Sequence, residues 1–131
     1  MHRKTTILLA ASLAISILVT GCVAALAVGA AGGVGGYAWA SGKLSFTTPH
    51  GIGECHDATI SSLSDLKIKL ISDQTDRLAG RIKGQTATGD AVTVDLEPQP
   101  PNITKIDVRV GFWGNKTRST MIADGIKRHL Q

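Results

Sequence analysis

Thiol, imidazole and carboxylate stand close together at His50, Cys55, His56 and Asp57. Each can ligate zinc, and a cysteine beside a histidine also suggests an activated thiol. Geometry weighs against both. Neighbouring residues on a helix point about 100° apart, so Cys55 and His56 do not converge on one metal. No second cysteine or histidine pair completes a four-ligand set. Cys55 also falls on the apolar stripe of a predicted helix, where free cysteine behaves as a small hydrophobe, and His56 and Asp57 then face solvent. No Ser/His/Asp arrangement can be placed, and Gly32 to Gly36 lacks the preceding strand and following Lys-Ser/Thr of a phosphate loop. The expectation is a non-enzyme without catalytic residues, metal ligands or cofactor.

The other cysteine has a different setting. Met1-His2-Arg3-Lys4 forms a short positive region, and Ile7 to Val19 adds about 13 mostly apolar residues, the pattern of an export signal. Val19-Thr20-Gly21-Cys22 follows. This resembles the bacterial lipobox, which implies cleavage between Gly21 and Cys22, a diacylglycerol thioether on Cys22 and acylation of the new amino terminus. Several acyl chains, each CH₂ worth about 0.8 kcal/mol on burial, make a lasting anchor. Residues 1–21 are thus read as a signal peptide, and the membrane as a partner through the N-terminal lipid. Aspartate after the cysteine favours inner-membrane retention in enterobacteria. Val23 stands there instead, so the expected location is the outer membrane, facing the periplasm.

Residues 22–42 read as a Gly/Ala-rich apolar tether. Gly29/Gly33 and Gly32/Gly36 have the four-residue spacing that lets membrane helices approach closely. A glycine-zipper helix that inserts or self-associates is therefore one reading, with Tyr37 and Trp39 at the interface. The other is a flexible tether, because each glycine weakens a helix by roughly 1 kcal/mol relative to alanine.

The rest of the chain is predicted to form one small α+β domain over 43–131. Lys43 to Thr47 has strand character, and Pro49 ends it. A helix from about Gly51 to Leu66 places Ile52, Cys55, Thr59, Leu63 and Leu66 on one stripe. Four strands follow, with Lys67 to Leu70 first. The next pairs Leu78, Gly80 and Ile82 on one face, then Val92, Val94 and Leu96, then Ile106, Val108 and Val110. Their connections at Asp73 to Asp76, Thr88 to Asp90 and Glu97 to Asn102 are rich in turn residues. A last helix from Asn115 to Leu130 carries Ile122, Ile126 and Leu130 inward, with Met121 near the edge. The expected order is β-α-β-β-β-β-α, an antiparallel sheet with both helices on one face, because each strand has one dry side and one wet side. Asp95, Lys105, Asp107 and Arg109 pair across the wet face.

Charge separates the two parts of the chain. All ten acidic residues lie at Glu54 or later. Of fourteen Lys and Arg, Arg3 and Lys4 fall in the signal, leaving twelve against ten. That balance and only five aromatic rings argue against nucleic acid as a partner. Gly111-Phe112-Trp113-Gly114 puts two adjacent aromatics in a glycine-bounded loop. Phe112 and Trp113 are either an interaction tip or a cover folded back over the core.

The chain resembles the family of small bacterial lipoproteins catalogued as domain of unknown function 3568. The likeness is carried by Val19 to Cys22, by the Gly/Ala run ending at Gly36-Tyr37, and by Asp76-Arg77-Leu78-Ala79-Gly80-Arg81-Ile82. Val92-Thr93-Val94 and Asn102 to Gly114 match the family's final hairpin. The resemblance implies envelope location and fold, and brings no catalytic residue. The leading expectation is a binding or scaffold module with an envelope protein partner; the alternatives are the glycine-zipper lipoprotein and a metal or thiol enzyme at Cys55. Oligomeric state and the identity of the partner do not follow from the sequence.

Overall fold

The computed structural model describes residues 36–131. Cys22, Gly21, Gly29, Gly32 and Gly33 lie outside the described residues. Six strands and two helices follow one another as β1 (Ala38–Ala40), β2 (Lys43–Thr48), α1 (Ile52–Asp65), β3 (Lys69–Thr75), β4 (Gly80–Gln85), β5 (Ala91–Gln99), β6 (Ile103–Val110) and α2 (Lys116–His129). The sheet order is β1-β2-β6-β5-β4-β3, with every pair antiparallel. The fold class is α+β, as expected, with sequential hairpins from β3 to β6 and β2 returning beside β6.

Alternation along the strands sets the two faces. Leu44, Phe46, Ile82, Val92, Val94, Leu96, Ile106, Val108 and Val110 are buried on one side. Cys55, Ala58 and Leu63 from α1 and Ile122, Ala123 and Ile126 from α2 close over them. The helices meet where Ser62 donates to the Ile122 carbonyl at 3.0 Å. There Gly125 leaves no room, since a Cβ on it would stand 2.2 Å from Ser62 Oγ.

Local signals define the helix ends. Glu54 accepts from the Gly51 amide at 3.1 Å at the start of α1. Asn115 Oδ1 accepts from the Arg118 amide at 3.0 Å at the start of α2. At the end of α1, Lys67 takes φ of 54°, and the Ile68 amide reaches back to the Leu63 carbonyl at 2.8 Å. This is a Schellman closure, usually given to glycine.

Three expectations change. The tether expected as far as residue 42 ends earlier, because Trp39 pairs with Leu44 and Ala38 with Ser45 to add β1 to the sheet edge. Its cause is a two-residue turn in which Ser41 and Gly42 both have positive φ, 52° and 74°, the backbone of a tight hairpin. Tyr37 packs edge-on against Phe46, with centroids 5.5 Å apart, and its hydroxyl donates to Asp124. Trp39 packs against the core. Both rings therefore belong to the domain, and Gly36 is exposed irregular backbone leading into β1.

The second change concerns Leu78, which was expected on a buried strand face and is instead 83% exposed. Asp76 Oδ1 accepts from the Leu78 and Ala79 amides at 2.7 and 2.9 Å, so the turn is Asp76 to Ala79. Asp73, Gln74 and Thr75, expected in that turn, extend β3. Third, β3 is an edge strand with a register shift between Leu70 and Ser72. It leaves Leu70 and Ile71 exposed instead of alternating cleanly.

Candidate functional site

The Cys55 cluster separates in three dimensions. Cys55 is fully buried, with Sγ 3.7 Å from the His50 carbonyl, which also accepts from the Thr104 hydroxyl at 2.8 Å. Burial pushes its thiol pKa up, and the nearby Glu54 charge adds to this against an opposing hydrogen bond to Thr104. A thiol held protonated in a dry site is a weak nucleophile.

His56 turns the other way. Its Nε2 lies 2.6 Å from Asp73 on β3, and its Nδ1 lies 3.1 Å from Asp57. Partial burial opposes the imidazolium, but hydrogen bonds to Asp73 and Asp57 outweigh it and hold the His56 pKa above its ordinary value. The same hydrogen bond holds the Asp73 pKa down. His56 therefore clasps α1 to the edge strand. Asp57 is exposed. Among the described residues, no group of three or more His, Cys, Asp and Glu is placed to hold a metal, and no described helix is long and apolar enough to cross a membrane.

The loop between β6 and α2 behaves differently. Phe112 is 78% exposed and Trp113 85% exposed, so the pair does not fold back over the core. The two rings stack edge to face, with centroids 5.0 Å apart. The loop beneath them is held at several points. Gly111 and Gly114 have φ of 76° and 85°, which other residues adopt only at a cost. The Gly111 amide donates to the Ala91 carbonyl at 2.7 Å, and the Arg109 guanidinium donates to the Phe112 carbonyl.

The loop also crosses the β1–β2 turn without a side chain between them. A Cβ on Gly114 would stand 2.2 Å from the Gly42 carbonyl oxygen, and one on Gly42 2.5 Å from the Trp113 carbonyl oxygen. Sequence reading found the aromatic pair but not this crossing, because Gly42 and Gly114 carry no local sign that they meet. Beside the loop, Leu66, Ile68, Val110, Met121 and Ile122 line an apolar cleft of 240 Å³, with Arg118 at its rim held by Asp90.

On the wet face, Arg81 pairs with Asp95 at 2.5 Å, Lys105 reaches Asp107 at 3.3 Å and Glu97 at 3.7 Å, and Lys43 approaches Asp95 to 4.0 Å. Arg109 leaves this expected set for the Phe112 carbonyl. Exposed pairs of this kind contribute about 0–1 kcal/mol.

Comparison with known families adds one finding. The model of the family described as protein of unknown function DUF3568 matches residues 4–129. The chain belongs to this family. DUF3568 thus spans the aromatic loop, the Gly42–Gly114 crossing and both helices, as the residues at Asp76 to Ile82 and Asn102 to Gly114 implied. No curated protein matches the chain.

Proposed function

We propose that this DUF3568 protein is a lipid-anchored lipoprotein of the bacterial envelope, at the outer membrane and facing the periplasm. Its α+β domain acts as a non-enzymatic binding or scaffold module that presents Phe112 and Trp113 to another envelope component. The observation that carries the binding role is the exposure of two large aromatic rings on a loop locked by Gly42, Gly114 and Arg109. Exposed aromatics on a braced loop mark a contact surface, since holding them in water without a partner is unfavourable.

Two measurements test the reading. Radiolabelled palmitate is expected to label the wild-type chain and not Cys22→Ala; equal labelling removes the anchor. In-cell crosslinking of the mature lipoprotein is expected to capture neighbours whose yield falls when Phe112 and Trp113 are both changed to Ala. Unchanged crosslinks with a folded double variant remove the tip.

A further inference from the structure

We infer that the Phe112–Trp113 end of the domain docks onto an anionic phospholipid surface. This rests on the reading of the tip as a contact surface and names the chemistry of what it contacts. The near balance of charge in the domain hides an uneven distribution. Counting cross-strand rows from the tip, the first is Lys69, Gln85 and Ala91. The second is Leu70, Gly84, Val92 and Val110, and the third includes Ser72, Lys83, Thr93 and Arg109. Lys43 opens β2 immediately beside Gly42. These rows hold four cations and no acid on the described strands. Acids begin one row further with Asp73, followed by Asp95, Asp107 and Glu97.

Lys43, Lys83 and Arg109 project from the face opposite the helices, since Leu44, Ile82 and Val110 beside them point inward. Lys116, exposed at the start of α2, follows the loop on the other side. The acids near this end are engaged: Asp90 by Arg118, and Asp65 by His129 at 2.7 Å. The tip is therefore an aromatic pair flanked by cations, of which Lys43 lies 4.0 Å from Asp95, a carboxylate that Arg81 also holds at 2.5 Å, and Arg109 donates to the Phe112 carbonyl. Aromatic rings settle at the headgroup level of a bilayer, and each nearby Lys or Arg adds about 1 kcal/mol of attraction to anionic lipid.

Two features favour a fluid surface over a rigid protein. The rings stand out convexly, touching each other, so a soft headgroup layer receives them without a matching pocket. The loop also satisfies backbone groups internally, with the Phe112 carbonyl on Arg109 and the Gly111 amide on Ala91. Entering a less polar layer then leaves those groups paired.

The test uses the full chain loaded on neutral phosphatidylcholine vesicles and challenged with a second population of brominated phosphatidylglycerol vesicles. Trp113 emission is expected to shift to the blue and be quenched, while Trp113→Phe, which keeps Trp39, shows neither change. Phosphatidylcholine as the second population is expected to give no response. Lys43→Gln with Lys116→Gln is expected to weaken capture of the anionic vesicles roughly thirtyfold, about fivefold for each 1 kcal/mol lost. These residues are exposed or half-exposed, so circular dichroism should show an intact fold. Absence of Trp113 quenching by anionic vesicles overturns the inference, and so does quenching that the lysine changes leave untouched. Crosslinks from the tip to a protein, without vesicle capture, overturn it in favour of an acidic protein partner. Loading of Cys22→Ala as efficiently as wild type would instead remove the lipid anchor, leaving the Trp113 readout to stand by itself.

Discussion

Lys67 sits in the left-handed conformation that ends α1, with φ of 54°. An L-residue there costs roughly 1–2 kcal/mol, whereas glycine costs roughly 0.5–1 kcal/mol in lost chain freedom. Lys67→Gly is therefore expected to stabilise the domain by about 0.5–1 kcal/mol, read as a rise in the urea midpoint with unchanged slope. A fall in the midpoint would show that the lysine side chain does more than close the helix. Residue environments were legible in the sequence where periodicity was strong. Cys55, Thr59 and Leu63 lie on the stripe read for them and are buried. Leu78 was misread because alternation alone cannot see the Asp76 side chain capturing two backbone amides.

Between the two helices, a close steric constraint is the crossing at Ser62 and Gly125. Helix propensity by itself makes Gly125→Ala stabilising by about 1 kcal/mol. Here the new methyl would stand 2.2 Å from Ser62 Oγ and 3.1 Å from its Cβ. Displacing the serine breaks its bond to the Ile122 carbonyl, so a net loss of about 1–3 kcal/mol is expected in chemical denaturation. A gain would mean that α2 shifts freely on α1.

The clasp between α1 and β3 gives a pH dependence whose sign follows from both partners. His56 has a raised pKa, so its contribution is complete below the unfolded value of about 6.5 and is lost as pH rises through the higher folded value. Asp73 has a lowered pKa, so its contribution is present above about 4 and is lost as pH falls through its folded value. The melting temperature of wild type minus that of His56→Ala is therefore expected to be largest between about pH 4 and 6.5 and to shrink above it. A difference that is flat from pH 5 to 9 would remove the clasp. The partnership joins residues on a helix and a strand, and no spacing rule would have paired them.

Across the whole domain, the sheet axis carries both the charge gradient and the aromatic tip. Neither is a property of composition, since twelve cations and ten acids beyond the signal nearly cancel. Antiparallel register gathers Lys69, Lys83, Arg109 and Lys43 at one end from four separate strands. The sequence by itself determined the class of fold, both helices and the wet and dry faces of most strands, because period-2 and period-3.6 patterns are local consequences of burial. Only the tertiary structure decided that Tyr37 and Trp39 belong to the domain, that Phe112 and Trp113 face solvent, and that Gly42 and Gly114 lock their loop. Each of these depends on segments distant in sequence meeting, which is set by how the sheet closes rather than by residue type.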